Sequence, residues 1–364
     1  MTLLSNLLLY SPGHSGFSSY VHRVMPGIPG HQLVLGDQGG AECRNDHWLP
    51  QQGPASKRLA LLHRLSLTQH GVDVKGALKK VGLRIEDLGG IYSPYCDALL
   101  ALPQVSQVIT CHDLTPLYIS NSRKASLRYR YWTPRHLNQA KCVIAISHFV
   151  ADQLVDFGVP ASKIEVVYNG IAIEREPIAE PASEDLLMLA RHDRNKNVAM
   201  VVRAFGQLME RKPHWLGRLV IVGRRGRQTP ELKKIVEKLP KPERVVLLDG
   251  VSSTELVQLL RGSLALVSAS TMEGFDYPIM EAKAEGLPTI ISDIPVHREL
   301  HDGTSLFFNH GNAMDSLIMA IVGLATDDCL WKQLSSLGRG FALSLPIPDQ
   351  RSKIVNIISC AASW

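Results

Sequence analysis

Short apolar runs of strand length recur along this chain, each followed by a polar or glycine-bearing turn and then by residues with helical spacing. In the first half these runs are Met1–Tyr10, read as a first buried strand, then Gln32–Leu35, Gly90–Tyr92, Gln107–Thr110, Cys142–Ile146 and Ile164–Tyr168. Ser11–Tyr20 leads into a helical pattern that ends before Pro26, and the Leu-, Lys- and Arg-rich stretch Ser56–Gly82 predicts outer helices. Ser147 is a plausible N-cap for the helix that follows Cys142–Ile146, and Asn169-Gly170 reads as a turn. Between Glu174 and Glu184 the texture changes to two prolines and four glutamates without an apolar period, a linker composition that places a domain boundary there. The alternation then restarts, with strands at Leu186–Leu189, Arg218–Val222, Val245–Leu248, Ala265–Val267 and Thr289–Ile291. Strands alternating with helices require parallel sheets covered on both faces, so the expected class is α/β with two such sheets.

A length of 364 residues suits two domains of about 170 residues each. Apolar content of 45% and charged content of 20% describe a globular chain, neither disordered nor membrane-embedded. The net charge of +5 is too small to argue for nucleic acid, and fits a phosphorylated substrate or an anionic membrane surface equally well. Six cysteines lie far apart without a C-x-x-C pair, which argues against zinc and for reduced thiols in a cytoplasmic setting. The apolar start lacks a basic n-region and is much shorter than the roughly 20 residues of a membrane span.

Candidate chemistry concentrates in Ser268–Arg298. Leu264–Ser268 reads as a strand and Ile279–Ala284 as a helix with Pro278 at its first position, so the segment is a strand, a loop and a helix start. Amides at such a start, with the positive end of the helix dipole, attract an anion such as a diphosphate. Glu273 in the loop and Glu281 in the first turn cannot themselves bind phosphate, so they point to hydrogen bonds with hydroxyls, as on a ribose or hexose; the competing reading is surface acids on an ordinary αβ unit. Arg191 and Lys196 stand at the mouth of the second domain's first strand, where a guanidinium fork and a compact ammonium suit phosphate oxygens. Gly13 and Gly16 form a loose glycine turn, not a dinucleotide fingerprint, and taken alone read as a strand-to-helix turn. His112 and Asp113 follow the end of a strand, where open αβ sheets bind ligands, though a lone histidine is as often structural. Arg123, Lys124, Arg128, Arg130 and Arg135 are interleaved with Tyr129, Tyr131 and Trp132. This helix either touches an anionic membrane or is a solvated face with its aromatics turned inward, and the second reading is favoured.

These residues resemble the family 4 glycosyltransferases of GT-B fold. Glu273-Gly-Phe-Asp-Tyr-Pro-Ile-Met-Glu281 matches the family's Glu-x7-Glu signature, and Arg191 with Lys196-Asn197 matches its basic pair on the donor diphosphate. Ile221-Val222-Gly223 and Leu248–Val251 match the next strand ends, and Ser147–Ile171 the stretch closing the first domain. The resemblance implies two Rossmann-like domains facing across a cleft: 1–175 binding acceptor, 176–345 binding a nucleotide sugar, and 346–364 a C-terminal helix packing back on the first. It implies that Glu281 binds ribose, that Glu273 and His112 contact the hexose, that Arg191 and Lys196 neutralise the leaving diphosphate, and that Gly13, Gly16, Gly223, Val251, Phe275, Asp276 and Tyr277 border the donor. Asp276 and Tyr277 replace the commoner Gly and Leu, which alters backbone contacts to the sugar, and the glycine loop is reduced to Gly13 and Gly16.

The implied activity is retaining, with same-face attack and the leaving phosphate oxygen taking the acceptor proton. The sequence contains no Asp-x-Asp, so no metal is expected there. Domain closure about 174–184 would exclude water. UDP-glucose is the expected donor and GDP-mannose the next, because no residue is evident to read guanine. The expected acceptor is a polysaccharide or lipid-linked saccharide at the inner face of the membrane. A GT-B sugar-nucleotide epimerase and a catalytically idle nucleotide-sugar-binding subunit are the alternatives.

Overall fold

The computed structural model describes residues 2–8, 10, 16–35, 48–51, 74–96, 99–100, 102–119 and 123–362. Gly13 and most of Ser56–Gly82 lie outside them. The chain divides into two compact units, Met1–Gly170 with Leu345–Trp364, and Ile171–Ser344.

The first unit carries a parallel sheet of β1 (Thr2–Asn6), β2 (His31–Leu35), β3 (Trp48–Gln51), β4 (Leu88–Ser93), β5 (Gln107–Cys111), β6 (Cys142–Ala145) and β7 (Ile164–Val166). Its order among the described residues is β3-β2-β1-β4-β5-β6-β7. β4 and β5 are buried along their whole length, as expected for central strands with helices on both faces. Ser147 caps the helix His148–Asp156 by accepting from the Val150 N–H at 3.2 Å. The last helix, Ile347–Ala362, returns to this unit and packs on β4 and β5, with Ile354 and Ile358 buried. Gly90 makes room for it, since a Cβ there would meet Ile358 Cγ2 at 3.1 Å. Its Gln350 takes the Gly170 N–H at 2.8 Å and donates to Asn169 Oδ1 at 3.0 Å, which fixes the Asn169-Gly170 turn.

At the helix Arg123–Tyr131 the expectation that the aromatics turn inward is corrected for Tyr131 alone, since Tyr129 and Trp132 are half-buried. Tyr131 is 57% and Leu127 52% exposed, so apolar groups share the outer surface with the arginines.

The second unit carries β8 (Leu186–Leu189), β9 (Leu219–Val222), β10 (Val245–Leu248), β11 (Ala265–Ser268), β12 (Thr289–Ser292) and β13 (Leu306–Phe308), all parallel. Their order, β10-β9-β8-β11-β12-β13, reverses direction between β8 and β11. β3 and β13 are strands that apolar patterning had not singled out.

The stretch 174–184 belongs to this second unit, and the division falls just before it, at Gly170 and Ile171. Ile178 is buried, and its N–H donates to Glu285 O at 2.9 Å. The Glu285 carboxylate accepts from Arg175 at 3.2 Å and from Arg261 at 2.9 Å. A composition suited to a loose linker is thus anchored by groups about a hundred residues away in sequence.

Lys283 is buried on the helix Tyr277–Glu285, with Nζ 2.6 Å from Thr304 Oγ1, 3.1 Å from His301 Nδ1 and 5.2 Å from the Phe341 ring centroid. Burial pulls its ammonium down to about 7 from an ordinary 10.5. The unfolded chain therefore binds this proton more tightly, and stability should rise as pH increases from about 7 towards 10.5. Urea titrations should find Lys283→Met more stable than the parent by roughly 1–3 kcal/mol at pH 7 and without that upward slope.

Candidate active site

Every strand of a parallel sheet ends on the same edge, so the loops after β8 to β12 collect there, and ligands of open αβ sheets bind where the order reverses. In the second unit that point lies between β8 and β11. The loop after β8 makes one turn at Arg194–Lys196, then places Asn197 in the left-handed region (φ 50°) ahead of the helix Val198–Arg211. The loop after β11 crosses to meet it: Thr271 N–H donates to Asn195 O at 2.8 Å, and Asn195 Nδ2 reaches Met272 O and Glu273 Oε1, each at 3.4 Å.

Lys196 is bound between two carboxylates, with Nζ 2.7 Å from Glu273 Oε1 and 3.4 Å from Asp276 Oδ1. Its side chain is 19% exposed, that of Glu273 14% and that of Asp276 1%. Asp276 Oδ2 also accepts from Ser268 Oγ at 2.5 Å and lies 3.3 Å from His297 Nε2. Burial works against the charge on Lys196, but Asp276 and Glu273 outweigh it and hold the ammonium above the usual lysine range. Burial would likewise raise Asp276, yet Lys196, His297 and Ser268 hold its carboxyl well below the usual carboxylate range. Glu273 ends above its ordinary value through burial, with Lys196 opposing and the Asp276 charge adding. Asp276 is thus the fixed anion of the pair and Glu273 the one nearer to taking a proton.

Arg191 stays at the surface, 58% exposed and 3.2 Å from Asp193 Oδ2, while the Lys196 side chain is 19% exposed. The helix after β11 begins at Tyr277, one residue before Pro278, so Glu281 is its fifth residue, at the start of the second turn. Asp276 stands ahead of this helix in the left-handed region (φ 63°), where glycine is the easier residue, and its carboxylate faces the interior instead of capping the helix. Phe275 and Tyr277 are buried beside it, with ring centroids 5.4 Å apart in an edge-on contact.

Gly223 meets a backbone need of its own. Its N–H donates to Leu248 O at 2.9 Å, and a Cβ there would overlap the Ala190 carbonyl. Val251 borders a cavity of about 270 Å³ shared with Leu248, Leu259 and Arg218. Lys196, Glu273 and Asp276 do not line that cavity; they form a separate, largely buried charged cluster at the point where the sheet order reverses. His297 and Ser268 lie within the stretch singled out from the sequence, but nothing in the local pattern marks them. Only the fold brings both to Asp276.

In the first unit, Gly16 opens the helix Gly16–Val24 at an exposed position. His112 Nε2 lies 2.9 Å from the Pro94 carbonyl, and its ring stands edge-on to Phe17 and Tyr20 at 5.4 and 4.5 Å. The carbonyl can only accept, so Nε2 carries the hydrogen and Nδ1 is left as an acceptor. Burial lowers this histidine to about 4, with the Pro94 bond opposing, so it is neutral at pH 7. Asp113 accepts from the Thr115 N–H at 2.9 Å and shapes the turn behind it.

Two family profiles match in tandem: Glycosyltransferase Family 4 over residues 87–175 and Glycosyl transferases group 1 over 172–334. Among curated proteins, the chain is 30% identical over 208 residues to the O-antigen chain mannosyltransferase RfbU of Salmonella typhimurium, covering 56% of this chain and 57% of that one. It is 29% identical over 156 residues to the GDP-mannose:cellobiosyl-diphosphopolyprenol alpha-mannosyltransferase of Xanthomonas campestris, covering 42% of this chain and 40% of that protein. The matched region thus spans about half the length of these relatives. Among solved structures, Anabaena HepE in complex with UDP and glucose superposes with TM-score 0.72 at 17% identity, covering 99% of this chain and all of that one. Sucrose-phosphate synthase from Thermosynechococcus elongatus gives 0.71 at 17% identity and 98% coverage of both.

Two measurements test this geometry. Lys196→Met should lower stability by about 2–5 kcal/mol at pH 7, and by less as the pH falls and Glu273 takes up a proton; a loss that does not change with pH would contradict the pairing. His112 should titrate near pH 4 by NMR, with stability rising from about pH 4 to 6.5 as the unfolded chain's extra proton is lost.

Proposed function

The chain belongs to the GT-B glycosyltransferases, with a family 4 segment followed by a group 1 segment, and from that premise we propose that it transfers a hexose, with retention, from a nucleoside-diphosphate sugar to a saccharide acceptor. The observation that carries this reading is the Lys196–Glu273 pair at the point where the second sheet reverses. An ammonium has three N–H donors. Two are directed at Glu273 and Asp276, which leaves one for a phosphate oxygen of the donor. Arg191 stands exposed to supply a second, bidentate grip, and the start of the helix Tyr277–Glu285 adds its dipole. These groups are aimed at charge that grows on the leaving diphosphate, so the account needs no divalent ion.

Glu273 serves as a binding group for hexose hydroxyls. Tied to Lys196 and Asn195, it is a poor nucleophile, which favours same-face attack with the leaving phosphate oxygen accepting the proton over a covalent glycosyl-enzyme. Glu281 is assigned to the ribose. Neutral His112, with Nδ1 free of the Pro94 bond, is suited to accept a hydrogen bond from a sugar hydroxyl. Val251, Gly223, Phe275 and Tyr277 are assigned to border the donor through backbone and apolar contacts.

Sequence reasoning favoured UDP-glucose; the mannosyltransferase relatives make GDP-mannose the first donor to test and UDP-glucose the second. A lipid-linked saccharide is the acceptor class most consistent with a relative that acts on a diphosphopolyprenol. The exposed Leu127 and Tyr131 among arginines suit contact with an anionic bilayer, which would place the protein on the cytoplasmic face of a membrane.

The direct test is release of nucleoside diphosphate from a panel of nucleotide sugars, with and without diphospholipid-linked saccharides. No release from any donor would remove the transferase reading. Within a positive assay, Glu281→Ala should raise the donor KM about tenfold, whereas Glu273→Ala should lower kcat by roughly 100-fold or more. Equal effects on KM and kcat in both variants would undo the division of labour.

A further inference from the structure

His297 is buried on the helix Pro295–His301 and makes no use of solvent. Its Nδ1 lies 2.9 Å from Ser292 O and 3.3 Å from Ser292 Oγ, and that hydroxyl gives its own hydrogen to Ser270 O at 2.5 Å. Nδ1 therefore faces acceptors and must donate. Nε2 lies 3.3 Å from Asp276 Oδ2, which already accepts from Ser268. Both ring nitrogens thus point at acceptors, Nδ1 at Ser292 and Nε2 at the Asp276 carboxylate. The resulting buried chain runs from His297 to Asp276, from Asp276 to Lys196 and from Lys196 to Glu273.

Asp276 is a non-glycine residue in the left-handed region, a strained conformation that persists where the surroundings hold it. His297 and Ser268 bind one carboxylate oxygen and Lys196 the other. We infer that His297 is a positioning residue for transfer: through Asp276 it sets where the Lys196 ammonium lies against Glu273 and holds the turn that opens the helix Tyr277–Glu285. It touches neither donor nor acceptor. The inference rests on the transferase reading for its kinetic consequence, but the geometry it concerns exists without ligand.

Two amide substitutions separate the ends of the ring. His297→Asn places its amide where Nδ1 lies and keeps the bond to Ser292, while losing Asp276. His297→Gln reaches the Nε2 position and keeps a donor towards Asp276. Asp276→Gly removes the carboxylate while easing the left-handed turn. In the full chain, His297→Asn should lower kcat about 10- to 100-fold with the donor KM changed less than threefold, and His297→Gln should stay within about threefold of the parent. In the Asp276→Gly background, His297→Asn should add less than a twofold effect, because the residue through which it acts is gone. Equal impairment by Asn and Gln, or an undiminished effect in the Asp276→Gly background, would overturn the inference.

If the parent chain releases nucleoside diphosphate from no donor, the transferase reading fails and the positioning is read from the Lys196 Nζ–H NMR signal, assigned with Lys196→Met. That signal should shift or broaden in His297→Asn and persist in His297→Gln. An unchanged signal in His297→Asn would overturn the inference on this readout too.

Discussion

An ammonium buried between two carboxylates is the constraint around which the second unit is arranged. Without Lys196, Glu273 and Asp276 would leave two neighbouring carboxylates uncompensated in a poorly solvated place. Each partner comes from a different loop: the lysine from the end of β8, Glu273 and Asp276 from the end of β11, and His297 from the helix after β12. Parallel strands deliver those loops to one edge, and the reversal of order between β8 and β11 lets the first two converge. The cluster thus depends on the topology, and it in turn ties together loops that would otherwise be joined by a few backbone bonds.

The same cluster gives two acids on one short loop different chemical characters. Asp276, 1% exposed, is surrounded by donors and stays ionised. Glu273, slightly more open and beside the Asp276 charge, sits above its ordinary value. Electrostatic balance inside the loop therefore leaves one acid fixed as an anion and the other closer to its neutral form.

Anchoring at the other end of the helix Tyr277–Glu285 follows a related logic. Glu285 gathers Arg175 and Arg261, and the Ile178 N–H binds its carbonyl, so the stretch entering the second unit is fixed to the helix that carries the signature. Prolines and glutamates there describe a solvated surface, not a slack one. Lys283, on the same helix, shows the cost of burying a cation without a carboxylate among its contacts.

Much of the fold was legible in the sequence because parallel, two-sided burial writes itself as apolar runs: Leu186–Leu189 and Val245–Leu248 coincide with β8 and β10. The signature from Glu273 to Glu281 and the basic pair Arg191 and Lys196 were equally visible, since each is a local pattern of residue types. What the sequence alone determined was thus most of the strands, the approximate helix starts and the residues available for chemistry. Tertiary structure decided which of those residues meet: that Lys196 is buried while Arg191 is exposed, that Asp276 faces inward, and that His297, 21 residues beyond Asp276, completes its shell. The physical reason is that burial and charge compensation depend on distances between loops, and a chain order of residues does not carry those distances until the sheet has brought its strand ends together.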